Sequence, residues 1–499
     1  MPKRATALAL TLPPRPAASP AYRWLYDALR EAILAGRLRP GAQLPSTRDV
    51  AQRYGLARGT VVRAFEQLAA EGYLEGTVGA GTFVARSLPD DLFAVPRGRR
   101  TPAPSARAAL RRPAGYGRRV RELGVLEPRP TRAFRTNLQA LDLFPTTLWA
   151  QLAGRRLRDA SIRDLFGCDS LGYRPLREAV ADYLNLARGV RCTAEQVAIT
   201  NGVQEAIDLT ARLLVEPGDR VAVEDPGYAG ATRVLEAVGA KVVSLPVDDE
   251  GAVLQRARLV SRHPDGGVRL VYVTPAHQYP LCVTMSLRRR LALLEWARTS
   301  GARILEDDYD SEYRYAGRPV PALQGLDGGD TVLFAGSFNK VLFPSLRLGY
   351  LVLPQDLVER AAAARSIVVR HPPVFEQRVL VDFIAGGYFG RHLRRMREVY
   401  AERLQVLLEL ARERLAGALE LSPVEAGLQT IGRLAPGIDA EAVVRAAATR
   451  DVEVVPLARF FRALPAINGL QLGFAAVDVR EIRRGVRELA AVLETAARV

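Results

Sequence analysis

Between residues 21 and 85 the apolar positions first repeat with a helical period and then change to short β-like runs. Leu25, Leu29 and Ile33 share one face of a helix, and Gly36 supplies its stop. Ser46, with Asp49 three residues on, has the form of a capping box and opens a second, short helix that ends at Gly55. A third helix begins near Ala57 and sets Val61, Ala64, Phe65 and Leu68 on one side. Two helices joined by a short turn containing Gly55 give the pattern of a helix-turn-helix. Residues 73–75 and 82–85, joined through three glycines, then predict a two-stranded wing.

The pattern breaks after residue 86. Pro89, Pro96, Pro102, Pro104 and Pro113 are interspersed with Arg and Ala, a composition that resists a packed core and predicts a linker over 87–113. From 114 to 499, β-like runs such as 197–199, 302–306 and 331–335 alternate with helical ones, the order of an α/β domain. Three parts are therefore expected: a winged helix over 20–86, the linker, and an α/β region over 114–499. No internal repeat is visible.

Composition narrows the class. The 499 residues suffice for two or three domains, and 48% hydrophobic content is that of a globular chain. No run approaches the ~18 apolar residues of a membrane span. The apolar stretch 5–12 is too short and too proline-bounded for a secretory signal, so a cytoplasmic protein is expected. Cys168, Cys192 and Cys282 are too widely spaced for a disulfide framework or a metal pattern, and read as idle thiols. The net charge of +16 is unevenly placed: residues 1–112 carry 18 Lys/Arg against 8 Asp/Glu. High arginine usage contributes to that surplus, but beside a helix-turn-helix it is a footprint for a polyanion.

The third helix would enter the major groove N-terminus first, so Arg58, Thr60 and Arg63 would meet bases, while Arg48 would hold the backbone. Arg53 reads as part of a solvated face. Leu44-Pro45-Ser46-Thr47-Arg48, Glu71-Gly72-Tyr73-Leu74 and Gly79-Ala80-Gly81-Thr82-Phe83-Val84 closely resemble the winged helix of GntR-family regulators. That resemblance implies a double-stranded DNA operator as partner and Arg48, Arg58, Thr60 and Gly81 as contacts.

The large region offers a different chemistry. Lys340 follows a β-like run, with Ser337 before it and Arg347 seven residues on. Asp307 and Tyr309 stand in an acidic segment after another run. Asn201, Gly202, Val203 and Gln204 follow a third run and open a helix, and Tyr228 follows a fourth. An amine for a Schiff base, an acid for a pyridine nitrogen, a phosphate cradle and a flat ring to stack are what pyridoxal 5'-phosphate requires, collected at strand ends. Spacing alone leaves open which acid serves, or whether the segment is a solvated loop or a metal site, although no histidine lies nearby in sequence.

Taken together, Gly172-Tyr173-Arg174-Pro175-Leu176-Arg177, 201–204, Tyr228, 274–280, 307–309 and 340–347 resemble fold-type I aminotransferases, with a large and a small domain. Joined to the winged helix, they look like the MocR/GabR group of regulators. The resemblance assigns Asp307 to the pyridine nitrogen, Tyr309 to the ring oxygen, Lys340 to the Schiff base and Arg347 to the phosphate. It also implies a head-to-tail homodimer. Four positions depart from the pattern. Tyr279 replaces the Asn of Asn-Pro-Thr-Gly, and no tyrosine falls near 166–168, where one should reach the partner's phosphate. Gln471 stands where aminotransferases hold a substrate carboxylate with Arg, and Gly230 where members that sense 4-aminobutyrate carry Arg. Arg233 or Arg459 could substitute, though each reads as a surface or structural residue.

The expected function is a DNA-binding regulator that senses pyridoxal phosphate itself, controlling vitamin B6 genes, or an amine or amino-acid effector. The missing carboxylate Arg inclines the reading to the first. The alternatives are an active aminotransferase with a DNA-binding appendage and a dimerisation domain with a dead cofactor site.

Overall fold

Ser46 caps a helix as its spacing predicts: its Oγ accepts from the Asp49 backbone N–H at 3.2 Å. That helix, α2 (Thr47–Tyr54), ends at Gly55 in the left-handed conformation and is flanked by α1 (Ala21–Leu34) and α3 (Arg58–Ala70). Leu25, Leu29, Val61 and Leu68 are fully buried between them, each worth about 1.5–3 kcal/mol on removal from water. The wing strands β1 (Leu74–Thr77) and β2 (Gly81–Val84) pair antiparallel, Leu74 with Val84 and Thr77 with Gly81. Both reach closer to the turn than the hydrophobic pattern indicates, because backbone pairing continues where alternation has stopped.

The computed structural model describes residues 11–16, 19–77, 81–88, 113–120, 130–254, 267–316, 321–328, 330–462 and 467–496. The chain divides into two units, Met1–Arg111 and Arg112–Val499. Most of the linker expected over 87–113 lies outside the described residues, as do Gly79 and Ala80 of the wing motif.

The second unit is built on an eight-stranded sheet. Its strands are β3 (Val197–Thr200), β4 (Arg220–Asp225), β5 (Lys241–Asp248), β6 (Gly251–Ala252), β7 (Val268–Val273), β8 (Arg303–Asp308), β9 (Val332–Ser337) and β10 (Gly349–Val352), in the order β3-β10-β9-β8-β7-β4-β5-β6. Strands β9, β8, β7, β4 and β5 run parallel, and β10 is antiparallel to both β9 and β3. The carboxyl ends of β3, β4, β7, β8 and β9 therefore open on one edge, where an α/β sheet binds its ligands. Continuous burial of β3, β8 and β9 follows from helices packing on both faces. A second, four-stranded antiparallel sheet follows: β11 (Leu419–Leu421), β12 (Gln429–Leu434), β13 (Val455–Pro456) and β14 (Gly469–Gly473), ordered β11-β12-β14-β13. Phe134 bridges to Gly473, so the segment around Asn137 lies against this smaller sheet.

Buried Arg290 fixes the loop after β7. Its guanidinium donates to the carbonyls of Met285 (3.0 Å), Pro275 (2.7 Å) and Pro321 (3.1 Å). On the loop's other side Glu224 accepts from Thr274 Oγ1 at 2.6 Å, the Thr274 N–H at 3.1 Å and Gln278 Nε2 at 3.3 Å. Tyr279 is carried on the loop so held.

Candidate functional site

Asp307 is the last residue but one of β8 and is buried. Its Oδ2 accepts from the Tyr272 hydroxyl at 2.6 Å, and its Oδ1 has no partner. Burial pushes its pKa up to about 7, against the opposing pull of Tyr272 and the Lys340 charge. The acidic segment is not a solvated loop. Asp308 and Asp310 are buried as well, and Asp308 pairs with Arg188 at 2.6 Å. A histidine does lie beside it: the loop after β7 brings His277 Nδ1 to 2.9 Å from Asp310 and 3.1 Å from the Tyr309 hydroxyl. Burial opposes charge on His277, but Asp310 outweighs it and lifts the pKa to about 10. No group of metal-ligating side chains occurs among the described residues.

The helix Val203–Leu214 starts at Gly202, whose φ of 96° admits little but glycine. A Cβ there would stand 2.7 Å from Asn339 Nδ2 and 3.6 Å from both terminal nitrogens of Arg347, so its absence leaves a hollow between the helix start and a guanidinium. Arg347 is exposed and has no acidic partner among the described residues. Ser337, ten residues before it, is buried, its Oγ accepting from Asn339 N–H at 3.2 Å. The Asn201 amide donates to Glu205 at 2.7 Å. Gln204 Nε2 donates to the Gly230 carbonyl at 3.4 Å.

Lys340 Nζ donates to the Asn137 carbonyl at 2.9 Å. Burial lowers its pKa to about 8, although Asp310 and Asp307 favour the charge. The Tyr228 ring meets the Tyr279 ring edge-on at 5.9 Å, and Tyr279 meets Tyr309 at 6.0 Å. A side chain at Gly230 would overlap the Tyr228 ring. Asn137 Nδ2 donates to the Tyr279 hydroxyl at 3.0 Å, and the Asn137 N–H donates to Gln429 Oε1 at 3.2 Å. Fully buried Gln471, on β14, has neither polar atom partnered. Arg459 pairs with Glu441 and, like Arg233, lines a cleft with Glu224, Glu236 and Arg462.

In the first unit Arg48, Arg58 and Arg63 are exposed with no acidic partner among the described residues, and Thr60, on the first turn of α3, is half-buried. Gly81, exposed at the start of β2, has a φ of 108°.

Two family models match the chain: "Bacterial regulatory proteins, gntR family" over residues 21–84 and "Aminotransferase class I and II" over 150–489. The "Probable rhizopine catabolism regulatory protein MocR" of Rhizobium meliloti is 41% identical, the match covering 95% of this chain and 94% of that protein. The chain belongs to this family of regulators, a GntR-type helix-turn-helix joined to an aminotransferase domain. The HTH-type transcriptional regulator TauR of Rhodobacter capsulatus is 34% identical over 94% and 96% of the two chains. The pyridoxine biosynthesis regulator PdxR of Corynebacterium glutamicum is 29% identical over 93% and 94%. Among solved structures, the α-aminoadipate aminotransferase LysN of Thermus thermophilus, complexed with a phosphopyridoxyl-leucine, matches with TM-score 0.66 and 29% identity over 73% of this chain and 92% of that one.

The regulator's second unit is thus a pyridoxal-phosphate domain, and its residues fit the cofactor. The partnerless Asp307 oxygen, the hollow at Gly202 and the open Arg347 would serve it as an acceptor, a cradle and an anion grip. Tyr272, His277, Asn137 and Gln429 were not among the candidate residues read from the chain. His277 is one of four histidines and stands two residues before Tyr279, the one signal that could have drawn attention to it. No helix among the described residues is long and apolar enough to cross a membrane.

Proposed function

We propose that this regulator holds pyridoxal phosphate at Lys340, meets an amine effector there, and changes its grip on operator DNA in response. The unpartnered Asp307 Oδ1 carries the reading, because a buried carboxylate oxygen left without a donor suits a protonated ring nitrogen. Tyr272 would fix the Asp307 rotamer, Tyr228 would cover the ring, and Tyr309, anchored by His277, would present its hydroxyl to the ring oxygen. Ser337, Arg347 and the N–H groups of Val203 and Gln204 would hold the phosphate, with Gly202 giving close approach and Asn201 standing beside it at the helix start. Bound at this position, the cofactor supplies an electrophilic carbon that captures primary amines. Gln471 and Tyr279 would lie on the effector's side of Lys340, and the two unfilled polar atoms of Gln471 favour an amine effector over sensing of pyridoxal phosphate alone. One relative is named for rhizopine catabolism and another for pyridoxine biosynthesis, so sensing of pyridoxal phosphate itself stands as the second reading.

The same proposal has the protein act as a head-to-tail homodimer in the cytoplasm. Phe166 is 83% exposed and Ile367 84% exposed, and Asp164 ties the Phe166 segment to Arg378 on the helix that follows the one bearing Ile367. A cavity of about 240 Å³ lined by Asn201, Arg347, Ala364 and Val368 opens beside them. A second copy laid on this apolar patch would close the phosphate end of the site. Arg58, Thr60 and Arg63 would read bases, with Arg48 and Gly81 on the backbone.

The test is binding to the DNA upstream of the protein's own gene, at fixed salt, with and without pyridoxal phosphate and with amines added. A change in affinity on adding cofactor or amine supports the sensor. Specific binding indifferent to both would overturn it.

A further inference from the structure

The polar side chains that Lys340 reaches through Asn137 are all neutral. Lys340 leads through the Asn137 carbonyl to the Asn137 amide, and from there to the Tyr279 hydroxyl and to Gln429. Gln471 reaches the same Tyr279 hydroxyl without hydrogen-bond geometry. Gln429 and Gln471 lie on adjacent strands, Gln429 opposite Gly473 and Gln471 opposite Ile431, so both face the same side of the sheet. Both are fully buried, and three of their four polar atoms are unpartnered: Gln429 Nε2, Gln471 Nε2 and Gln471 Oε1. Buried amides left open are rare unless something binds them.

What they would bind follows from what they offer. The open set is two amide NH2 groups and one carbonyl acceptor. A hydroxyl both donates and accepts, so hydroxyl groups can serve the Nε2 donor and the Oε1 acceptor of Gln471 alike. A carboxylate only accepts; it would set its charge against Gln471 Oε1 with no cation to compensate. None of the four side chains here shares a hydrogen bond with an Arg or Lys side chain among the described residues. Gly230 contributes no side chain, and Arg459 is held by Glu441.

We infer that the effector is a primary amine bearing hydroxyl groups where an α-amino acid bears its carboxylate, an amino alcohol or amino polyol. This rests on the amine-sensing reading above and names the ligand class for the same site.

The experiment uses the full-length protein loaded with pyridoxal phosphate and two matched ligand pairs: serinol against L-serine, and D-glucosaminitol against D-glucosaminic acid. Within each pair only a CH2OH is exchanged for a carboxylate. Binding is read from the absorbance of the bound cofactor and, independently, by calorimetry. The alcohol of each pair should half-saturate at a concentration at least about tenfold below its acid. Gln471→Arg should invert the order by supplying the missing cation; the wild-type comparison decides the matter even if that variant does not fold. An acid that binds as well as its alcohol overturns the inference and leaves amine sensing intact. If the cofactor is bound and none of the four amines perturbs it, amine sensing itself falls, and this inference with it.

Discussion

Tyr272 donates its hydroxyl hydrogen to one oxygen of Asp307 at 2.6 Å and leaves the other without a partner. Because burial lifts the Asp307 pKa to about 7, the cofactor-free carboxyl is near half-protonation at neutral pH. The folded pKa is raised, so the linked stability is fully present below the unfolded value near 3.9 and is lost as pH rises through about 7. Cofactor-free wild type should therefore lose stability relative to Asp307→Asn between pH 5 and 8, by a few kcal/mol at most. Thermal unfolding of both proteins across that range checks it; parallel curves would mean that Asp307 is charged at no cost. The same variant should bind pyridoxal phosphate at least about tenfold more weakly, having lost the carboxylate for the ring nitrogen.

Gly230 is small because Tyr228 needs the space. A Cβ at 230 would overlap the Tyr228 ring, so Gly230→Ala should tilt the ring off its position and weaken cofactor binding several-fold. The cofactor dissociation constant measures it, and the winged helix, in the other unit, should keep its affinity for DNA. Unchanged cofactor affinity would show that Tyr228 does not cover the ring.

Arg58→Ala should cost sequence-specific DNA binding about ten- to a hundredfold, the loss of roughly one bidentate base contact. It should leave cofactor absorbance intact. A titration against specific and scrambled DNA at one salt concentration separates base reading from phosphate attraction. Equal losses on both sequences would move Arg58 from the bases to the backbone.

How much of this was legible in the chain depends on whether a residue acts locally. Ser46, Gly55 and the α3 face were readable because caps and periodicity are written within a few positions. Asp307 and Lys340 stood out because strand-end motifs carry them, and the fold sets Asp307 at the end of β8 and Lys340 just after β9. Tyr272 and His277 were not, because their roles come from parallel strands that place residues 35 and 33 positions apart in contact. The absence of a histidine near the acidic segment held in sequence and failed in space for that reason. Asn201 shows a bond that its motif does not carry: its amide donates to Glu205, one turn along the helix it opens.

Gln471 bears on turnover as well as on ligand choice. Without a cation for the carboxylate, an α-amino acid is poorly oriented for proton transfer, and misorientation costs rate even when the amine is captured. With L-amino acids and a 2-oxo acid, product should form well below about 1 per second. Coupled assays of keto-acid product measure it. Turnover at or above that rate would restore the reading of an active aminotransferase with a DNA-binding appendage.

Lys340 must be uncharged to attack a carbonyl carbon, and burial lowers its pKa to about 8 from an ordinary value near 10.5. The rate at which cofactor-free protein captures pyridoxal phosphate should then rise with pH and level off just above 8. An exposed lysine would still be climbing at 9. Stopped-flow absorbance at constant salt gives the profile directly. Borohydride reduction followed by mass analysis should find the adduct on wild type and none on Lys340→Ala. If the profile keeps rising past pH 9, desolvation at Lys340 is weaker than the folded geometry implies. Should Lys340→Ala still alter its DNA affinity when amines are added, effector sensing would proceed without the lysine.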